Sequence, residues 1–150
     1  MNKYYYNYNE YISDIKELTN LINWKFDTIV GIARGGLTLS HTLGEYYDIR
    51  DVYSINTIGY NNDKKLDSIE IFNVPNLQKS KNILILDDIV DSGDTLELVI
   101  KTLSLKYPKC TFKSASIFYK KTAIVQPNWS VKEAKEWIEF FWSIDCLKID

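Results

Sequence analysis

The stretch Asn82-Ile83-Leu84-Ile85-Leu86-Asp87-Asp88-Ile89-Val90-Asp91-Ser92-Gly93-Asp94-Thr95 decides the fold. Ile83 to Leu86 is the most apolar short run in the chain, four branched aliphatic residues without a polar gap, as in a strand buried on both faces of a parallel sheet. A helix is predicted to open straight after it. Asp94-Thr95-Leu96-Glu97 has the form of a capping box, and Leu96, Val99, Ile100 and Leu103 carry an apolar stripe. A second strand, Thr111 to Tyr119, then completes a βαβ unit.

Another such unit lies upstream. Phe26 to Ala33 reads as a buried strand that stops at Arg34-Gly35-Gly36. Leu37 to Tyr47 reads as a helix through Leu39, Leu43 and Tyr46 or Tyr47, and Val52 to Ile58 as the returning strand. Before it, Tyr8, Tyr11, Ile12, Ile15, Leu18 and Ile22 recur at helical spacing, with Asp14, Lys16 and Glu17 expected on the solvent side. Gly59 to Asp67 is polar and aperiodic, a surface loop long enough to move, and Ser68 to Val74 reads as a strand entering the Pro75 turn. From Ser130 onward Val131, Ala134, Trp137, Ile138 and Phe141 favour a helix, although Trp137 to Ile144 is also an aromatic, β-branched run. With no repeat and no linker, residues 1–150 are expected to form one α/β domain. Its central sheet is mostly parallel and flanked by helices, with a small hood from about 120 to 150.

Composition narrows the function. The chain has 150 residues, 45% hydrophobic and 25% charged, and its 18 Lys and Arg against 20 Asp and Glu give a net charge of -2. That balance lacks the cationic excess of a nucleic-acid binder. Cys110 and Cys146 have no metal or redox spacing and read as free thiols in a reducing compartment. Met1 to Glu10 carries no apolar leader core, and no run of apolar residues is long enough to span a bilayer, so a cytoplasmic protein without integral membrane contact is expected. The cluster Tyr4, Tyr5, Tyr6, Tyr8 and Tyr11 has no basic neighbours for nucleobase stacking on a nucleic acid and reads as helix packing or a subunit contact. His41, the single histidine, reads as a packing or surface residue.

In open α/β sheets ligands bind beyond the carboxyl ends of the strands, which directs attention to the loops after Ala33 and Leu86. The second loop puts Asp87, Asp88 and Asp91 beside a small-residue turn, Ser92-Gly93-Asp94-Thr95. Backbone N–H groups there, with the Ser92 and Thr95 hydroxyls and a helix N-terminus, form a cradle for a phosphate monoester. Carboxylates so close to an anion must face something else: sugar hydroxyls, a hard cation such as Mg²⁺, or a proton in transit. Asp87 and Asp88 would point to opposite faces along a strand, but a turn at the strand end lets both reach one ligand. The first loop offers the Arg34 guanidinium and the close backbone approach of Gly35 and Gly36, which suits a second phosphate group.

Ile83 to Leu96 resembles the phosphoribosyl-pyrophosphate (PRPP) signature of type I phosphoribosyltransferases, and Arg34-Gly35-Gly36 resembles their pyrophosphate loop. Ile117-Phe118-Tyr119-Lys120, followed by Glu136-Trp137-Ile138-Glu139-Phe140-Phe141-Trp142, is similar to the base-binding part of the bacterial xanthine-guanine phosphoribosyltransferases. The resemblance runs from about Phe26 to Trp142. It implies a Mg²⁺-dependent pentosyltransferase of purine salvage that moves phosphoribose from PRPP to N9 of guanine, xanthine or hypoxanthine. Asp88 with Asp87 would hold the metal and the ribose hydroxyls. Asp91 would face purine N7 as the acid/base group. The segment from Asp87 and Asp88 through Ile89, Val90, Asp91, Ser92, Gly93 and Asp94 to Thr95 would bind PRPP, with Val90 to Thr95 on its 5′-phosphate. Arg34 and Gly35 would hold pyrophosphate. Lys120 would donate to O6, Trp137 would stack on the ring, and the Ile138 carbonyl would accept from the C2 substituent. Gly59 to Asp67 corresponds to a mobile lid, and a homodimer or homotetramer is implied.

Two departures stand out. The loop reads Ser-Gly-Asp-Thr where the family commonly has Thr-Gly-Gly-Thr, with the capping box offering the Asp94 carboxylate somewhere to turn. The lid offers Lys64 and Lys65 where close relatives carry an Arg, a point charge in place of a bidentate fork. A transferase for another nucleobase shares this phosphate machinery, and a PRPP-sensing regulatory module would use the same loops without turnover. A response-regulator receiver domain also pairs an apolar strand with acidic residues, but near its start, whereas here the pair lies past mid-chain.

Overall fold

The computed structural model describes residues 2–59 and 69–148. In chain order these form β1 (Lys3–Tyr6), α1 (Tyr8–Leu21), β2 (Thr28–Ala33), α2 (Gly36–Tyr47), β3 (Val52–Gly59), β4 (Ile69–Phe72), β5 (Asn82–Val90), α3 (Asp94–Lys106), β6 (Thr111–Tyr119), β7 (Trp129–Glu133), β8 (Trp137–Phe140), α4 (Phe141–Ile144) and a closing 3₁₀ turn (Asp145–Lys148). Six strands make the main sheet in the order β4-β3-β2-β5-β6-β7, parallel throughout except for the antiparallel β3–β4 edge pair. Both βαβ units expected from the sequence are present, β2-α2-β3 and β5-α3-β6.

β5 is the middle of that sheet because its side chains are apolar on both faces. Leu84 and Leu86 enter one core with Ile15, Leu18, Leu39 and Leu43 from α1 and α2. Ile83 and Ile85 enter the other with Val99 and Leu103 from α3. The period of two delivers alternate residues to opposite layers, so one four-residue run joins both halves of the molecule.

Several expectations need correction. β5 does not turn after Leu86 but runs on to Val90, pairing with β6 as far as Tyr119. The capping box at Asp94 does not form: Gly93 is the N-cap, at φ 88°, and no side chain caps α3. The segment favoured as a helix after Ser130 is two short strands and a single helical turn. The expected hood is divided accordingly. Trp129–Glu133 extends the main sheet beside β6, while Trp137–Phe140 pairs in parallel with the N-terminal Lys3–Tyr6, so the hood is built from both ends of the chain. Asp14 is not on the solvent side of α1: it is 4% exposed, one turn from Tyr11 and Leu18 on the buried face. Of the proposed lid, Gly59 ends β3, and the rest, Lys64 and Lys65 included, lies outside the described residues.

Candidate active site

The carboxyl ends of β2 and β5 bring the two sequence loops into contact. A Cβ added to Gly35 would run into the Asp88 carboxylate, and one added to Gly36 would run into the Leu86 carbonyl. The chain can pass so close only because both positions lack a side chain. Arg34, exposed at this junction, precedes α2, and its carbonyl accepts from the Leu37 N–H at 3.0 Å. The Ala33–Arg34 peptide is cis.

Asp87 and Asp88 sit at the rim of this junction. The Asp88 N–H donates to Asp87 Oδ1 at 2.9 Å, and the Ile89 N–H to Asp88 Oδ1 at 2.7 Å. Burial, then the neighbouring Asp88 charge, pushes the Asp87 carboxyl well above the usual carboxylate range, and burial raises Asp88 as well. Both residues are only partly buried, and Asp87 lines the hollow beyond Val90. Two carboxylates that resist ionising together fit a divalent cation, whose charge reverses that penalty. Among the described residues no cluster of three or more Asp, Glu, His or Cys forms a cage. That donor set suits Mg²⁺, which takes one or two carboxylates and completes its shell with water and substrate oxygens.

Beyond Val90 the chain bends around a hollow of about 90 Å³ lined by Asp87, Ile89, Val90, Asp91, Ser92, Gly93, Thr95 and Leu96. The missing cap on α3 matters here. First-turn N–H groups that the N-cap residue leaves uncapped are what an anion at a helix N-terminus binds. The Ser92 Oγ accepts the Asp94 N–H at 3.3 Å, and Asp94 itself is not part of the lining. Gly93 is required twice: its φ is positive, and an added Cβ would meet the Val125 N at 2.8 Å and carbonyl at 3.0 Å. The 120s loop is laced to this turn, Ile124 N–H donating to Ser92 O at 2.8 Å and Lys120 N–H to Val90 O at 2.9 Å.

Adjoining this hollow is a cavity of about 620 Å³ lined by Ile89, Asp91, Lys120, Trp137 and Ile138, with Lys135, Glu136, Glu139, Phe140, Ser143 and Ile144 around its rim. Ile89 and Asp91 line both hollows. Asp91 Oδ1 and Lys120 Nζ form an ion pair at 2.6 Å in which both side chains remain largely open to the cavity. Trp137 is 58% exposed, which leaves much of a large aromatic surface open at the cavity.

The four residues proposed for acid/base and base-binding roles, Asp91, Lys120, Trp137 and Ile138, therefore line one cavity, and those proposed for the 5′-phosphate, Val90 to Thr95, line the other apart from Asp94. Sequence reasoning missed the hood's second strand. It also missed a buried polar cluster behind the base cavity: Lys132 Nζ lies 2.9 Å from Asp14 Oδ2, which accepts from the Tyr6 hydroxyl at 2.8 Å. The signal was available in the spacing of Asp14 from Tyr11 and Leu18.

Known proteins share this architecture. A model of the phosphoribosyl transferase domain family matches residues 3–148. A xanthine-guanine phosphoribosyltransferase of Cereibacter sphaeroides is 33% identical over 127 residues, covering 81% of this chain and 72% of that protein. The solved Helicobacter pylori xanthine-guanine-hypoxanthine phosphoribosyltransferase is 38% identical with a TM-score of 0.91, covering 99% of this chain and 98% of that one. A purine phosphoribosyltransferase from Pyrococcus horikoshii is 30% identical with a TM-score of 0.79, covering 95% and 94%.

Proposed function

The chain belongs to the phosphoribosyltransferase family, and from that premise we propose how its residues transfer 5-phosphoribose from PRPP to N9 of a 6-oxopurine. The observation that carries the reading is the Asp91–Lys120 pair beside an open Trp137 face. On a 6-oxopurine, N7 and O6 lie side by side on one edge. A carboxylate next to an ammonium complements that edge, whereas a 6-amino group would turn a donor toward Lys120. Trp137 stacks on the ring, and the Ile138 carbonyl accepts from the C2 substituent.

Ser92, Gly93, Thr95 and the α3 N-terminus hold the 5′-phosphate, with Ile89 and Val90 forming the apolar side of the same turn. Arg34 and the Gly35 backbone hold pyrophosphate. Asp88 and Asp87 would hold Mg²⁺ and the ribose hydroxyls, and the ion, when bound, would supply Lewis-acid neutralisation of the leaving pyrophosphate. In the reaction the bond from C1′ to the pyrophosphate oxygen breaks and the bond from C1′ to purine N9 forms. Asp91 takes the proton that the purine sheds at N7, and Arg34 stabilises the charge gathering on pyrophosphate. The Asp91–Lys120 pair and the uncapped start of α3 support a site that needs little reorganisation at the moment of bond exchange.

One phosphoribosyltransferase domain over residues 1–150, acting as a homodimer or homotetramer, accompanies this reading. The apolar Leu37, Tyr46 and Val52 exposed on α2 and β3 support a subunit contact. No helix among the described residues is long and apolar enough to cross a membrane, and a substrate as highly charged as PRPP is confined to the compartment that makes it, which supports the cytoplasm. The net charge of -2 supports small-molecule substrates over nucleic acid.

The test is incubation with Mg²⁺, PRPP and, separately, guanine, xanthine, hypoxanthine, adenine, orotate and uracil, following nucleotide and pyrophosphate together. Turnover confined to the three 6-oxopurines is expected. Turnover with adenine, orotate or uracil instead would overturn the base assignment, and PRPP binding without turnover of any base would favour the regulatory module.

A further inference from the structure

The wall that carries Trp137 and Ile138 is thin. On one side it faces the base cavity, and on the other a second cavity of about 820 Å³, lined by Asn2, Tyr4, Phe118, Lys132, Glu133, Lys135, Glu136 and Ile138. Lys135, Glu136 and Ile138 line both. At its far end the wall is held by packing, the Phe140 ring lying 4.6 Å from that of Trp142 and 5.9 Å from those of Tyr6 and Phe118. At Trp137 and Ile138, which line the cavities, the backbone is held by the strand beside it: β1 pairs with β8 in the register Lys3 with Trp137, Tyr4 with Ile138, Tyr5 with Glu139 and Tyr6 with Phe140.

β1 is in turn fastened at alternate side chains. The Tyr4 hydroxyl donates to Glu10 Oε1, and the Tyr6 hydroxyl donates to Asp14 Oδ2 at 2.8 Å. Both carboxylates are on α1, and both face Lys132 Nζ from β7, at 3.7 Å for Glu10 and 2.9 Å for Asp14. Glu10 is itself fixed by the α1 capping box, accepting from the Asn7 N–H at 3.2 Å and from Asn7 Nδ2 at 2.8 Å. The Lys132 ammonium also lies 5.5 Å from the centre of the fully buried Tyr6 ring. The hydrogen bond to Glu10 pushes the Tyr4 hydroxyl up to about 12, which keeps it a donor at any physiological pH.

We infer that Tyr4, Tyr6 and Lys132 are positioning residues for base recognition: through Glu10 and Asp14 they pin β1, and β1 sets the height of the Trp137–Ile138 wall over the purine site. None of the three is assigned a contact with the base, and the inference rests on the 6-oxopurine reading above. Its geometry makes an asymmetric demand. Loosening β1 should disturb the base cavity and leave the phosphate turn, which hangs from β5 and α3, as it was.

Tyr4→Phe removes one hydroxyl and keeps the ring, and Lys132→Met is the second variant, keeping an unbranched stem without the charge. For Tyr4→Phe the KM for the base is expected to rise about five- to tenfold, with kcat at saturating base and the KM for PRPP within about twofold of the parent. Amide hydrogen exchange, run on the protein without substrates, should quicken in residues 137–140 and stay unchanged in β5 for both variants. The exchange measurement separates the two ideas. Faster exchange at 137–140 together with no 6-oxopurine turnover by the parent would sustain the clamp and sink the functional reading. Unchanged exchange at 137–140 in both variants, or a base KM that moves no more than the PRPP KM, would overturn the positioning role.

Discussion

Gly35→Ala separates the geometry of the two-loop junction from ordinary helix stability. The backbone at Gly35 is right-handed helical, φ -54° and ψ -37°, and it caps α2. An alanine fits that conformation, and by reducing the freedom of the unfolded chain it would stabilise the protein by about 0.4–1 kcal/mol if space allowed. Space does not allow it, because the new Cβ falls on the Asp88 carboxylate. Overpacking of this kind costs about 1–3 kcal/mol. Asp88 is only partly buried and the atoms in the way are those of its carboxylate, so the side chain moves before the main chain gives. The cost therefore appears in ligand binding more than in folding. If most of it does, PRPP affinity measured with Mg²⁺ falls by about 5- to 150-fold, while Tm moves by a few degrees at most. Calorimetric titration of PRPP at several Mg²⁺ concentrations is the assay, and displaced carboxylate predicts a higher Mg²⁺ requirement, which a merely blocked pyrophosphate loop would not. Gly44→Ala is the control: its Cβ would meet Val52 Cγ2 at 2.9 Å, a milder clash on the far part of α2. That variant should lose stability and keep its PRPP affinity. Wild-type PRPP affinity and Mg²⁺ dependence in Gly35→Ala would refute the claim that Asp88 and the Arg34 loop form one site.

Asp91→Asn should lower kcat by more than tenfold, since a positioned acid/base group typically contributes about 10²–10⁴-fold, while PRPP binding by calorimetry changes little; unchanged turnover would remove Asp91 from the chemistry. Trp137→Ala should raise the KM for the base with scant effect on PRPP, and a collapse of PRPP affinity instead would mean that the base cavity is misassigned. Asp27 gives a pH prediction away from the site. Burial pushes its carboxyl up, but the Asn82 N–H at 2.7 Å, the Thr28 hydroxyl at 2.7 Å and the Lys81 N–H at 3.2 Å outweigh it, and the group ends below its ordinary value. A lowered folded value means stability that is present above the unfolded value of about 3.9 and lost as pH falls through the folded one. Melting scans from pH 6 down to pH 2 should therefore show Asp27→Asn less stable than the parent at pH 6 and the gap closing in acid; a gap that is constant with pH would assign Asp27 no such role.

How much of this was legible in the sequence follows the range of the interactions involved. β5, its acidic end and the Ser92–Thr95 turn lie within fourteen consecutive residues, and local chemistry decides them: branched aliphatics for a strand, small residues for a turn, a stripe for α3. Even there, one local rule lost to tertiary structure. Asp94 and Glu97 satisfy the capping-box pattern, but Gly93 at φ 88°, wedged against Val125, takes the cap position and has no side chain with which to cap the first turn. The rule describes helices that satisfy themselves, and α3 is left for an anion to satisfy.

The base side was illegible for a different reason. Trp137 to Phe140 is a strand because Lys3 to Tyr6 lies beside it, more than 130 residues away in the chain. No window of sequence contains both partners, and alone the segment's apolar spacing fits a helix about as well. Resemblance to a family could name Trp137 and Ile138 but not what holds them up. The phosphate cradle is thus a property of one continuous stretch of chain, and the base pocket is a property of contacts between the two ends. On the proposed assignment, substitutions in β1, α1 or β7 that touch no substrate change base recognition while the turn proposed for the sugar phosphate is left intact. Asp14 shows how such a change enters: a carboxylate on the buried face of an otherwise apolar helix is met by the Tyr6 hydroxyl and the Lys132 ammonium, so a change at any one of the three acts on the other two.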